Sequence, residues 1–570
     1  MAPIRTLSLV TVTAVALAAC GAKQDDQTTP GSTASAKRGG TLTVPWSADV
    51  DSIDPGQTYY SGGYMVANVT QRTPIAYEPG SASPRPDLAT AAPTVSADGK
   101  TVTVKLRSGV HFSPPVKREV TSADLKYAIE RGFFSTVNNP YAGTYFGDLA
   151  GAPSAPAKPG TQISGITTPD AHTVVFKLRQ ATGGTVAAAL VLPLAAPVPR
   201  DYALPFDRSG KASTYGAHQV ATGPYMVSSY QPGKGITMVR NPSWSASTDF
   251  RPAYVDRIEM PQGNTDPGVV SRRVLEGSKM ISGDWLLPPA VLKQALETRP
   301  RQVLLVDSGG GRWAALNTKA APFDNVDVRR AVLAGFDRQA ALLALGGKRV
   351  GTVATHFLPP GMPGFDAAGG VRGTGADFLA APGGNRELAA SYLKRAGYAT
   401  GKCSGKSILM VGPVDGNGRQ ISEIAKTNLE SLGFNVKLRL LSQQVVQTRY
   451  CGVPSAQVAV CPNVGWTRDF ADGQTFLDPT FNGDHIAPVG NANWSQLDDP
   501  KINQAIDAAK TVADPAARAK AWANVDREIT AAAPAVPLVW DRVSMVHSAD
   551  VLAVANESLG VWDLAFTSIR

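Results

Sequence analysis

Between residues 385 and 440 the hydrophobic period switches repeatedly between that of a helix and that of a strand, and layered α/β packing accommodates such alternation. Asn385 opens a helix whose Leu388, Tyr392 and Leu393 share one face and which ends at Gly397. Residues 407–411 form a short strand. Ile421, Ile424, Ala425, Asn428, Leu429 and Leu432 give a second helical stripe, stopped by Gly433. Val436, Leu438 and Leu440 then alternate with Lys437 and Arg439 as a strand. Residues 500–532 predict two helices broken near Asp514-Pro515, and Val536-Pro537-Leu538-Val539-Trp540 follows as a strand. A chain that leaves one body and returns to it implies two lobes and a hinge.

The first twenty residues are a processing segment, not part of that fold. Arg5 supplies the positive start and residues 7–17 the apolar run. Leu17-Ala18-Ala19-Cys20 resembles a bacterial lipobox, cut before Cys20, whose thiol then carries a diacylglycerol; an ordinary secretory signal is the alternative. Residues 22–38 are polar and suit a flexible tether. No later run approaches the roughly 18 apolar residues of a membrane span. A hydrophobic fraction of 43% and a charged fraction of 18% read as a folded protein. The net charge of +9, without a Lys/Arg block interleaved with aromatics, implies no nucleic-acid partner.

Outside the cytoplasm the remaining cysteines, Cys403, Cys451 and Cys461, predict one bridge and one free thiol. Cys451 and Cys461 are the closer pair, with Gly452 and Pro454 to turn the chain between them. The histidines at 111, 172, 218, 356, 485 and 547 are scattered, so neither metal nor other cofactor is expected. No Gly-x-Ser-x-Gly or His-Glu-x-x-His occurs, and residues 397–403 lack phosphate-loop spacing. Asp469, Asp472 and Asp478 leave a secreted glycosidase as the enzyme alternative, a class that needs two carboxyls across a sugar.

Residues 465–482, GWTRDFADGQTFLDPTFN, follow the apolar run Val458-Ala459-Val460, which reads as a buried strand. A loop leaving such a strand lies where α/β proteins collect ligands. Asp469, between Trp466 and Phe470, can neutralise an ammonium group in a partly dry cleft; the plainer reading is a loop Asp capping the next turn. Upstream, Tyr59 and Tyr60 in the stretch Tyr59–Tyr64 either present rings to a ligand or pack as an ordinary loop. Trp313 either faces the cleft or seals the hinge. Residues 101–107 and 173–179 are two similar strands, with a helix from Thr121-Ser122 between them. The Pro-rich stretches 151–159 and 192–205 read as loops.

Together these motifs resemble a known family. Gly-Trp-x-x-Asp-Phe-x-Asp after a strand, the Asp51-Ser52-Ile53-Asp54-Pro55 turn, SADGKTVTVKLRSGVHFS, Ala221-Thr222-Gly223-Pro224-Tyr225 and the Arg240-Asn241-Pro242-Ser243-Trp244 segment are similar to the dipeptide- and oligopeptide-binding proteins of ABC importers, extracellular solute-binding family 5. So is Leu316-Asn317-Thr318 leading into Pro322-Phe323-Asp324. The resemblance implies a type II periplasmic-binding-protein fold (cluster C), with two α/β lobes, an extra small subdomain and a hinged cleft. Its implied limits are a signal peptide over 1–19, a tether over 20–38 and lobe I over 39–310, with the subdomain at about 65–220. Lobe II then covers 311–540, and 541–570 return to lobe I. It implies a monomeric peptide receptor, lipid-anchored outside the cell membrane, that serves an ABC permease and its cytoplasmic ATPase subunits. In that family the Asp matching Asp469 pairs with the α-ammonium of a peptide, while relatives bind nickel chelates, haem or sugars. Lys117-Arg118 and Gly473 depart from the family pattern, at a turn of the small lobe and after Asp472 respectively.

Overall fold

Asn385 caps the helix Arg386–Arg395 by accepting from the Leu388 amide at 3.0 Å. Strand Ser407–Pro413, helix Gly418–Ser431 and strand Asn435–Leu441 follow, and the two strands pair in parallel from Ser407↔Asn435 to Pro413↔Leu441. The intervening helix is therefore a crossover covering one sheet face. These elements belong to a computed structural model that describes residues 36–208, 210–414 and 417–570. The leader, Cys20 and most of the tether lie outside the described residues.

The parallel pair forms one edge of a six-stranded sheet ordered Gly351–Val353, Ala535–Val546, Val303–Leu316, Val460–Thr467, Ser407–Pro413 and Asn435–Leu441. Along its long central strand successive side chains take opposite faces. Ala314 and Leu316 enter a core with Val332, Leu393, Ile421 and Leu429. Trp313 and Ala315 enter another with Phe357, Phe476, Phe481 and Trp522. The result is a helix–sheet–helix sandwich.

Two four-stranded sheets build the rest. Thr41–Thr43 pairs in parallel with Arg257–Pro261, followed by Gly235–Arg240 and Tyr225–Gln231. The similar strands Thr101–Lys105 and Thr173–Lys177 lie antiparallel at the centre of the other, with Val102 opposite Phe176. Helix Ser122–Gly132 packs Leu125 and Ile129 against them, and Thr121 and Asp124 form its capping box. The departure at Lys117-Arg118 is accommodated there: Lys117 takes a left-handed φ of 58°, and Arg118 forks onto Asp124 at 2.7 and 2.8 Å.

Two strands join the bodies. Val306 packs with Leu42, Met238 and Trp562, whereas Ala314, on the same strand, belongs to the sandwich. Ala535–Val546 runs antiparallel beside it and carries Met545 into the core with Leu42. Their ladder is irregular between Asp307 and Gly311. Gly309 lies there at φ +63°, and a Cβ on it would come within 2.6 Å of Arg468 Nε. The left-handed φ favours glycine here, and a larger residue would also have to displace the Arg468 side chain.

Three expectations are corrected. Part of the proline-rich stretch 192–205 is helical: Arg200–Asp207 forms around Pro205, its end held because Asp207 accepts from Tyr127 and Arg131. The strand read at residues 458–460 begins at Val460 and continues to Thr467, because pairing with Gly310 and Gly311 prolongs the ladder; Trp466 is therefore a strand residue. The tether ends earlier than residue 38, since Lys37 bridges to Ile569 and Arg38 donates to the Pro252 carbonyl at 3.0 Å.

Cys451 and Cys461 are disulfide-bonded, with Cα atoms 6.2 Å apart, and Cys403 is a buried free thiol. The bridge closes a loop of sequence separation 10 at the entrance to strand Val460–Thr467. Loop-closure entropy for such a ring amounts to about 2–3 kcal/mol. Replacing both cysteines by serine is expected to lower, by that amount, the opening free energy read by amide exchange in strand Val460–Thr467. An opening free energy within about 0.5 kcal/mol of wild type would show that the bridge contributes no net stability.

Candidate functional site

Strand Val460–Thr467 brings Trp466 opposite Gly311, and the indole Nε1 donates to the Thr475 carbonyl at 2.8 Å. Beyond it the chain turns tightly. Thr475 Oγ1 donates to the Phe470 and Asp472 carbonyls at 3.0 and 2.9 Å, and the Asp472 carboxylate is anchored by Arg518 Nε at 2.5 Å. This turn holds Asp469 out from the sandwich and drives Phe470 into the core of the neighbouring four-stranded body. Phe470 is buried there, its ring 5.0 Å from that of Tyr145.

Asp469 thus sits where the two bodies meet. The hydroxyls of Tyr145 and Tyr59, both from the N-terminal half of the chain, reach its carboxylate. Among the described residues no Lys, Arg or His forms an ion pair with it. Surrounding protein desolvates the carboxyl and drives its pKa up to about 6, against the hydroxyl hydrogen bonds that lower it. Burial likewise pushes Tyr59, Tyr64 and Tyr145 well above the ordinary phenol range, so they remain donors at neutral pH. Tyr59, Tyr141 and Tyr145 form a wall with successive ring centroids 5.6 and 6.1 Å apart. Beside them Asp469, Tyr64, Asn68, Gln71 and Arg251 line a cavity of about 40 Å³.

Further contacts tie the bodies around this point. The Ala471 amide donates to Tyr77 Oη at 3.0 Å, Thr185 Oγ1 to Gln474 Oε1 at 2.6 Å, and Arg518 Nη2 to Thr185 Oγ1 at 3.2 Å.

The other sequence candidates separate. Tyr60 is two-thirds exposed, and its ring lies 6.2 Å from Tyr59 on the outer side. Trp313 is 3% exposed and packs edge-on to Phe357 and beside Phe476 and Phe481, so of its two readings the packing one describes its position. A tryptophan so enclosed offers no surface to a cleft. Asp472 serves Arg518, and Asp478 faces Lys510 and His485 at 3.5 and 3.4 Å, so both carboxylates are already engaged by cations. Tyr145 and Tyr141 were not singled out from the sequence. They lie on or beside a helix of five residues, Ala142–Phe146, which is too short to show a periodic face.

The sequence model of the bacterial extracellular solute-binding proteins, family 5 Middle, matches residues 83–488, well over half of the chain. The chain belongs to that family. Its similarity to family 5 relatives is end-to-end. It is 25% identical over 510 residues to di/tripeptide-binding protein 2 of Pseudomonas aeruginosa, covering 87% of this chain and 89% of the relative. To heme-binding protein A of Haemophilus influenzae it is 24% identical over 516 residues, covering 87% and 86%. Among solved structures it resembles clavulanic acid biosynthesis oligopeptide binding protein 2, with a TM-score of 0.82, 29% identity, and 94% and 96% of the two chains covered. The Helicobacter pylori ABC transporter-associated periplasmic binding protein DppA, in complex with peptide STSA, superposes with a TM-score of 0.74 at 20% identity, over 94% and 98% of the chains. This family 5 chain is an extracellular-type solute-binding protein with the periplasmic-binding-protein fold, and not an enzyme. No helix among the described residues is long and apolar enough to cross a membrane.

Proposed function

We propose that the chain is a membrane-tethered receptor that captures peptides through their α-ammonium group and delivers them to an ABC permease, with ATPase subunits driving import. One observation carries the reading. Asp469 is a desolvated carboxylate with hydroxyl donors and, among the described residues, no cationic partner, at the meeting of two bodies. An ammonium supplies the missing charge, and Tyr59, Tyr64 and Tyr145 keep water away from the pair. On this reading the first body runs from about Lys37 to residue 310, with the small subdomain at about 65–220, and the second covers 311–540, with 541–570 returning to the first. A ligand touching both favours their approach, because only differential affinity shifts such an equilibrium. Di/tripeptide-binding relatives agree with a peptide ligand.

The test is calorimetry with a dipeptide across pH. Asp469 pairs with an ammonium only when ionised, and its ligand-free pKa lies near 6 against 3.8 for an ordinary Asp. Affinity is therefore expected to be highest near pH 7, to fall toward tenfold per pH unit below about 6, with proton release on binding in that range, and to fall again above about pH 8 as the peptide's own α-amino group deprotonates. Asp469→Asn removes the fall on the acid side. Pairing lowers the pKa, so the sign cannot reverse; tighter binding at pH 5 than at pH 7, or saturable binding only of haem, a nickel chelate or an oligosaccharide, would sink the peptide reading.

Anchoring through Cys20 is tested separately. The full-length chain is expected in the membrane fraction with lipid label, and Cys20→Ala is expected to lose the label. A variant that still partitions into detergent overturns the tether.

A further inference from the structure

A cavity of about 470 Å³ opens beside the edge strand Gly351–Val353 and shares no lining residue with the Asp469 cavity. Its walls come from helix Arg338–Leu345, that strand and the glycine-rich turn near residues 371–376. Leu342, Val371 and Leu379 make part of it apolar. Every charged side chain lining it is cationic, namely Arg338, Lys348 and Arg372. Lys348 and Arg372 are exposed, and among the described residues neither has an ion-pair partner.

Arg338 sets this cavity apart. Its side chain is fully buried, and Nη1 donates to the Ala354 carbonyl at 2.8 Å while Nη2 donates to those of Leu379 and Ala381 at 2.5 and 3.3 Å. Among the described residues no carboxylate pairs with it, and Nε has no partner. Burial pulls its pKa down to about 10, which leaves it charged at neutral pH. Several other buried arginines are paired, Arg72 with Asp87, Arg131 with Asp54 and Asp207, Arg251 with Asp87 and Asp249; Arg329, like Arg338, donates only to carbonyls, but it does not line this cavity with its exposed cations. A buried cation balanced only by carbonyl dipoles raises a positive potential through the poorly polarisable floor above it. Two unpaired cations at the mouth add to it, and among the described residues no acid lines the cavity. Such a field over partly apolar walls selects an anion with an apolar body.

We propose that this cavity binds an organic anion, its phosphate or carboxylate group held between Lys348 and Arg372 above Arg338, its apolar part against Leu342, Val371 and Leu379. The same chemistry is offered by a soluble phosphate monoester and by an anionic lipid headgroup. Calorimetry on the full chain separates them, with phenyl phosphate, inorganic phosphate and dihexanoyl phosphatidylglycerol below its micelle concentration as probes. Phenyl phosphate or the lipid is expected to bind saturably, and the tighter of the two names the source. Inorganic phosphate is expected to bind more weakly, lacking the apolar contact, and added salt to weaken all three. Lys348→Ala and Arg372→Ala, both at exposed positions, should each weaken binding about tenfold, in the range of a charged hydrogen bond. Circular dichroism and melting should remain as in wild type, and Asp469→Ala should leave this binding untouched, so the two sites are judged independently. Absence of saturable binding for all three probes at millimolar concentration overturns the proposal. So does binding that survives both substitutions together.

Discussion

Asp469→Ala is expected to weaken binding of a free-amine dipeptide by roughly 30- to several-thousand-fold, the span for truncating one member of a buried charge pair at about 2–5 kcal/mol. The effect is large because nothing else near the carboxylate can replace it. The ammonium would be left against phenol hydroxyls alone, in surroundings dry enough to raise the Asp469 pKa to about 6. N-acetylating the peptide should weaken wild type similarly and the variant much less, since one interaction is removed either way. If the two penalties simply add, Asp469 is not the amine's partner. A second readout has the opposite sign. An unpaired buried carboxylate opposes folding above its pKa, so Asp469→Asn should stabilise the ligand-free protein at pH 7.5 by a few kcal/mol at most. Weaker binding joined to higher stability is the signature of a functional residue, and a merely structural Asp would lose both.

The other large effect is expected at Arg131. Its guanidinium is wholly buried and forks onto Asp54 at 2.7 Å through each Nη, while Nε and Nη2 meet Asp207 at 2.9 and 2.8 Å. Burial alone would push the Asp207 carboxyl up, and the Arg131 hydrogen bonds and charge outweigh it and hold the pKa below the usual range. Arg131→Met leaves two buried carboxylates facing each other without a cation, at about 3–5 kcal/mol. Arg131→Lys keeps the charge and loses the fork, so it should recover only part of this. Because the bodies need not unfold together, the informative measurement is amide exchange in helix Ser122–Gly132, which carries Arg131. Exchange there within a factor of two of wild type would mean that packing, not the cation, holds this helix. The Asp207 contribution is present above the ordinary Asp pKa near 3.8 and is lost as pH falls through its depressed folded value.

What was legible in the chain follows the range of the interactions. Helix caps and alternating strands are local, so Asn385, Thr121 and the strands around 407–411 and 436–440 could be read from spacing, whereas their parallel pairing could not. Asp469 stands out because a strand and a tight turn lie within ten residues of it. Its hydroxyl partner Tyr145 lies 324 residues away, and no local pattern marks such a contact. Trp313 illustrates the opposite difficulty: its place on a crossover strand was readable, but which face it takes depends on the one-residue phase of the ladder. The helix around Pro205 forms because Arg131 and Tyr127 hold its far end, a tertiary tie that overrides a poor local propensity.

The closing segment of the chain completes the body that begins it. Trp562, Leu564 and Ile569 pack with Leu42, Val44 and Met65, and Ile569 bridges back to Lys37. A chain delivered N-terminus first therefore presents its first sheet long before the residues that finish that sheet's core exist outside. The sandwich, whose strands lie between residues 303 and 546, has nearly all its material earlier. Order of synthesis and order of completion are thus reversed: the core of the opening body, partly assembled from earlier residues, is closed only by Trp562, Leu564 and Ile569. Contacts of such separation close slowly. The interval in which the chain needs protection from aggregation is therefore set by delivery of its tail, rather than by the folding of the part that carries Asp469.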